Sequence, residues 1–141
     1  MDLLPPKEPT HECIVEAANR YDIPVRLIYS ILKVEGGKAG QKVKNKNGSY
    51  DMGPMQINSI WIPTFSAYVS PTEILYDGCV NVLVGAWLLR SHINMAGDFW
   101  QGVGNYHSKT PLHHERYVQK VYGASFKIRP YHERSIARSE R

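Results

Sequence analysis

Apolar residues recur along this chain at helical spacing in several stretches, and the places where that spacing breaks mark its elements. From His11 to Tyr21, Cys13, Ile14, Ala17 and Ala18 fall on one helical face, with Thr10 standing ahead of them as a cap. Pro24 suits a first helical position, and the segment running to Glu35 puts Leu27, Ile28, Ile31 and Leu32 on one stripe. Gly36 and Gly37 end that helix by supplying left-handed backbone. Between Val43 and Asn58 the helical period disappears, and Asn47-Gly48 signals a hairpin whose short flanks can pair as strands. Ser59 to Tyr68 predicts a short helix broken by Pro63. Asp77 to Ala96 is apolar nearly all round, through Val80, Leu83, Val84, Trp87 and Leu88, and predicts a central buried helix. Asp98 can cap a helix from Phe99 to about Tyr106. Thr110 and Pro111 open a last one that carries Leu112, Tyr117, Val118 and Val121 and is ended by Gly123. The pattern predicts a mainly α (α+β) fold: an extended lead-in over residues 1–9, one domain over 10–123, and a polar tail over 124–141.

One polar position interrupts the stripe of the second helix. Glu35 continues its apolar face at the C-terminal end, where lost hydration and the negative end of the helix dipole both disfavour a charged carboxylate and raise its pKa. A carboxylic acid that keeps its proton near neutrality is a candidate general acid. A solvated glutamate at a frayed helix end would have the same sequence. The hairpin returns Asp51 toward that helix end, giving a second carboxylate, which could equally be a turn-stabilising residue.

The run Gly53-Pro54-Met55-Gln56-Ile57-Asn58 follows, and later comes Gly104-Asn105-Tyr106-His107-Ser108. Together with Val34-Glu35-Gly36-Gly37, these motifs resemble, in order and spacing, the family-1 lytic transglycosylases of the lysozyme-like superfamily over roughly Cys13 to Tyr122. The resemblance implies a lysozyme-like single domain with a small β-hairpin beside the catalytic helix. It implies Glu35 as acid and then base, Gln56 lining a sugar cleft among Gly53, Met55, Asn58 and His107, and Tyr106 hydrogen-bonding and positioning Glu35. Read from the residues alone, Met55 and Ile57 are also what core packing requires, and Tyr106 is also an ordinary core aromatic. Two departures stand out: Gly36 where many members have Ser, and His107 where Asn is usual. Asp51 is a third, because family members typically lack a carboxylate there, whereas animal lysozymes place one just before the glycine of the matching turn.

The expected reaction follows from the resemblance: cleavage of the β-1,4 bond between N-acetylmuramic acid and N-acetylglucosamine, with the sugar's own C6 hydroxyl closing on C1. A retaining muramidase would instead use both carboxylates and water. A wall-binding assembly subunit that keeps the fold without turnover is the competitor from outside enzymology. The specialised members that serve secretion, conjugation or pilus machines look alike around Cys79-Val80-Asn81-Val82-Leu83-Val84-Gly85-Ala86-Trp87, so peptidoglycan strands and such assembly components are the expected partners.

Composition narrows this further. At 141 residues the chain is long enough for a real core without metal, and no stretch approaches a membrane span. The formal charge of +4 is partly local, with Lys38, Lys42, Lys44 and Lys46 before the hairpin turn and Lys127, Arg129, Arg134, Arg138 and Arg141 in the tail. Such a balance suits an anionic partner without choosing one; the expectation is no nucleic acid and a monomer. His11-Glu12, His114-Glu115 and His132-Glu133 each lack the second histidine four residues on, so neither metal nor cofactor is expected. Spacing leaves Cys13 and Cys79 equally readable as two buried thiols or one bridge, and the resemblance favours a disulfide, which belongs to an oxidising compartment. Met1 to Pro6 lacks the basic start and apolar middle of a signal peptide, so the expectation is a periplasmic protein whose leader does not form part of this chain.

Overall fold

The computed structural model describes residues 5–128. In chain order it contains α1 (His11–Tyr21), α2 (Val25–Glu35), β1 (Lys42–Lys44), β2 (Tyr50–Met52), β3 (Ile57–Asn58), a 3-10 turn (Ser59–Trp61), α3 (Ile62–Phe65), α4 (Pro71–Tyr76), α5 (Gly78–Ala96), α6 (Phe99–His107) and α7 (Pro111–Ser125). Seven helices with one small sheet among the described residues make this a mainly α, lysozyme-like fold. The part of the expected basic tail from residue 129 onward lies outside the described residues.

Two compact units form. Among the described residues, the first takes residues 5–14 together with Glu35–Gly85, and the second takes Val15–Val34 and residues 86–128. In the first, the antiparallel sheet runs β1-β2-β3, with Val43 opposite Asp51 and Asp51 in turn opposite Asn58. The connection from β1 to β2 is five residues long, closed by Asn45 N–H on Ser49 O (2.8 Å), with Gly48 at φ +88° as its signal required. β1 is exposed along its whole length, while Met52, Met55, Ile57, Ile74 and Val82 are buried.

Residues 5–9 of the lead-in are fastened to the rest of the first unit. Lys7 N–H donates to Tyr76 O and Gly78 N–H donates to Lys7 O (3.0 and 2.7 Å), while both oxygens of Glu8 accept from Ala39 N–H (3.1 Å). Cys13 and Cys79 form a disulfide with their Cα atoms 5.6 Å apart. Asp77 closes one helix and opens the next, its carboxylate accepting from Cys79 and Val80 N–H at the start of α5.

In the second unit Ile28, Ile31, Leu89, Val103 and Val121 are fully buried. A Cβ on Gly102 would strike the backbone of Ile93, which is why α6 can lie close to α5 there. Arg90 donates to the carbonyls of Tyr21 and Asp22, satisfying the end of α1.

Several expectations need correction. Pro24 is not the first residue of α2 but its cap, because its carbonyl accepts from Ile28 N–H. Pro63 does not break a helix; it lies in the first turn of α3, where a missing N–H costs nothing. Helix α4 was not foreseen at all, although Ser70 and Glu73 form a full capping box in front of it. Gly123 does not stop α7, which continues to Ser125. Trp87, on the helix expected to be buried, is 36% exposed; on the last helix Leu112 is 57% exposed, whereas His114 is buried with Nδ1 at 3.1 Å from Ser108 O.

Candidate active site

Glu35 is the last residue of α2 and is half-buried. The residues after it explain why two glycines follow. Gly36 takes φ +64° with open space around its α-carbon, so its role is to turn the backbone. Gly37 has the opposite reason: a Cβ there would collide with the Gly53 carbonyl oxygen and lie 2.6 Å from Gln56 Nε2. The end of the Glu35 helix thus lies directly against the turn of the second motif.

That turn is tight. Gly53 has φ +67°, and Gln56, unusually for a residue with a side chain, has φ +52°. The Gly53 carbonyl accepts both from Gln56 N–H and from Gln56 Nε2, each at 3.0 Å. Gln56 is half-buried with its amide folded back on the turn it belongs to. Met55 is fully buried, its sulfur close to where a Cβ on Gly85 would sit, and Ile57 is 2% exposed, so both side chains are core. Any contribution of Met55 to sugar binding therefore does not pass through its side chain.

Asp51, in the middle strand, is half-buried and accepts from Asn58 Nδ2 at 3.0 Å. The same amide reaches Ser49 Oγ at 3.1 Å, and its oxygen accepts from Ile60 N–H at 3.0 Å. Asn58 thus works as a bracket: it caps the 3-10 turn and fixes the carboxylate's direction. Glu35, Gly37, Asp51, Gly53, Gln56 and Asn58 all lie in the first unit.

In the second unit, Tyr106 is half-buried with its ring edge-on to His92 at 6.5 Å. His107 is exposed and stacked on the buried Tyr117, centroids 4.6 Å apart and planes 7° off parallel. Among the described residues no group of three or more His, Cys, Asp or Glu side chains could hold a metal ion.

One residue that sequence reasoning passed over belongs with the site. Asn81, on α5, is fully buried; its oxygen accepts from Met55 N–H at 2.8 Å and its nitrogen donates to Met52 O and Ile74 O at 2.9 Å. A lone amide inside the apolar run from Cys79 to Leu89 was the available signal.

With this geometry in view, the sequence profile of the family described as "Transglycosylase SLT domain" matches residues 12–129. The chain belongs to that family. Among curated relatives of this SLT domain, "Invasion protein IagB" of Salmonella typhimurium is 32% identical over 117 residues, covering 79% of this chain and 73% of its own. "Protein IpgF" of Shigella flexneri is 31% identical over 123 residues, 83% and 81% of the two chains. "Peptidoglycan-binding-like protein" of Escherichia coli O157:H7 is 30% identical over 124 residues, 78% and 74%. As an SLT domain the protein is an enzyme of the lytic transglycosylase type that acts on peptidoglycan, which places its work on the wall side of the membrane.

Proposed function

We propose that this SLT domain cuts the β-1,4 bond between N-acetylmuramic acid and N-acetylglucosamine and leaves a 1,6-anhydromuramoyl end. The observation that carries the reading is the half-buried Glu35 at a helix end whose second following glycine abuts the Gly53–Gln56 turn. Glu35 donates its proton to the bridging oxygen, the bond from C1 to that oxygen breaks, and positive charge develops at C1. Glu35, now a carboxylate, takes the proton of the C6 hydroxyl as that oxygen closes on C1. The acid is regenerated and no water is consumed. The tethered hydroxyl has the advantage of an intramolecular nucleophile, and one carboxyl serves as acid and base in turn. Gln56 and Asn58 line the sugar-binding side, with Gly53 shaping the turn, and Tyr106 carries the positioning role that the resemblance gives it; His107 stands where an amide is usual.

A second reading has one specific observation in its favour. The hydrogen bond from Asn58 keeps Asp51 directed, as a nucleophile or charge stabiliser in a retaining muramidase must be. Mass analysis of muropeptides released from purified wall decides between them: products one water lighter than reducing ends support the transglycosylase, and reducing ends support hydrolysis. Glu35→Gln should abolish release while leaving wall retention intact; surviving release would sink the catalytic assignment, and a wild-type protein that binds wall without releasing anything would leave only a wall-binding subunit.

The biological setting we propose is local opening of the wall for a secretion, conjugation or pilus apparatus, in the periplasm. The disulfide supports an oxidising compartment, and a relative carrying the name "Invasion protein" supports the association with such a machine.

A further inference from the structure

We infer that Asn81 is a positioning residue for the reaction: through three hydrogen bonds to backbone it holds the Gly53–Gln56 turn in register with the end of the Glu35 helix. The inference rests on the reading of that turn and Glu35 as the cutting site. Position 81 lies between Val80 and Val82 in the part of α5, from Cys79 to Leu89, that is otherwise apolar, and the residue is fully buried. An amide buried there costs free energy unless its hydrogen bonds are made, and an apolar side chain in its place would take a partner from Met55 N–H, Met52 O and Ile74 O. What the amide supplies is a clamp on backbone. Met52 O ends β2, Ile74 O lies in α4, and Met55 N–H belongs to the turn; Asn81 ties all three to α5 at 2.8–2.9 Å.

The clamp reaches the reacting group in two steps. Gly53 sits flush against the Asn81 amide, since a Cβ on it would collide with Nδ2 and come within 2.9 Å of Cγ. The carbonyl of that same Gly53 receives both hydrogen bonds from Gln56 and meets Gly37 on its other side. Gly53 is therefore sandwiched between Asn81 and the second residue after Glu35. With both faces in contact, a shift of the turn moves Gln56 and the Gly37 backbone together. Misplacement of reacting groups by about 1 Å can cost about a hundredfold in rate even when its cause lies away from the chemistry.

A residue that merely stabilised the core would change stability and leave turnover alone, so the test pairs two variants. Asn81→Leu removes the clamp while keeping the branching at Cγ; Val82→Ala, one position along and also fully buried, removes packing alone. Melting temperatures are measured for both, then muropeptide release from purified sacculi at saturating wall and at a temperature well below both transitions, together with retention on sacculi. The expected result is a loss of turnover of about tenfold or more in Asn81→Leu with wall retention within about twofold, while Val82→Ala turns over within about twofold of the parent. Equal turnover in the two variants, or Asn81→Leu at the parent rate, overturns the assignment. Should Asn81→Leu not fold, Asn81→Asp, which keeps the acceptor for Met55 N–H and loses both donors, takes its place in the comparison. Activity surviving in Glu35→Gln would strike at the catalytic reading itself, whereas an inactive Glu35→Gln beside indistinguishable Asn81 and Val82 variants removes only the role of Asn81.

Discussion

The two glycines after Glu35 look alike in sequence and differ in what they permit. Gly36 has left-handed backbone and empty surroundings, so the serine common in the family at this position would pay for the backbone conformation alone, about 1–2 kcal/mol. Gly36→Ser is expected to lower the melting temperature by a few degrees and keep turnover within severalfold, read by thermal denaturation and muropeptide release. Gly37→Ala meets a backbone oxygen, which cannot swing aside as a side chain can. Its expected effect is a turnover loss on the order of a hundredfold, because the collision pushes the Gln56 turn away from the Glu35 helix end. Similar turnover in the two would show that the contact with Gly53 does not matter to the reaction. Asp51 supplies the other residue-scale test. For a transglycosylase that needs only one carboxyl, Asp51→Asn should cost no more than about tenfold; a two-carboxylate mechanism would lose far more, on the order of a thousandfold or beyond.

Elements were legible where local chemistry marked both ends. Thr10 accepts from Cys13 N–H and Asp98 from Gln101 N–H, and both helices begin where those caps predict. Glycine is a weaker stop than it looks. Gly36 ended α2 because the chain turns there into a left-handed residue, while Gly123 is carried inside α7 between Val121 and Ala124, which are buried and hold the helix together past it. The sheet's position was readable from Asn47-Gly48, but the bracket of Asn58 on Asp51 was not, since it depends on β3 pairing with β2. Asn81 was invisible for a related reason: its three partners lie on β2, α4 and the turn, up to 29 residues away in sequence. Helix α4 could have been found from Ser70-Pro71-Thr72-Glu73, a capping pair with proline at the first turn. Being only six residues long, it depends on that cap and on Ile74, so Ser70→Ala should destabilise the protein by about 1 kcal/mol, read as a shift in the urea midpoint at unchanged slope.

At the scale of the whole molecule, covalent and non-covalent ties converge on one region of the first unit. The lead-in pairs with the α4–α5 junction through Lys7, Glu8 holds Ala39 four residues beyond Glu35, and the disulfide joins the first turn of α1 to the start of α5, two residues before Asn81. The two cysteines are 66 residues apart in sequence, so the bridge removes a large closure entropy from the unfolded chain, about 4 kcal/mol on the chain-entropy account. That is a substantial share of the roughly 5–15 kcal/mol that keeps a domain folded. Replacing both cysteines by serine, or reducing the bridge, should therefore lower the melting temperature by many degrees and, by loosening the start of α5, reduce muropeptide release at temperatures where the oxidised protein is fully active. The ordering of losses tests the connection: if α5 conveys the effect to the turn, turnover should fall in the reduced protein before its far-ultraviolet circular dichroism does. Turnover and helical signal lost together would mean that the bridge acts on global stability alone.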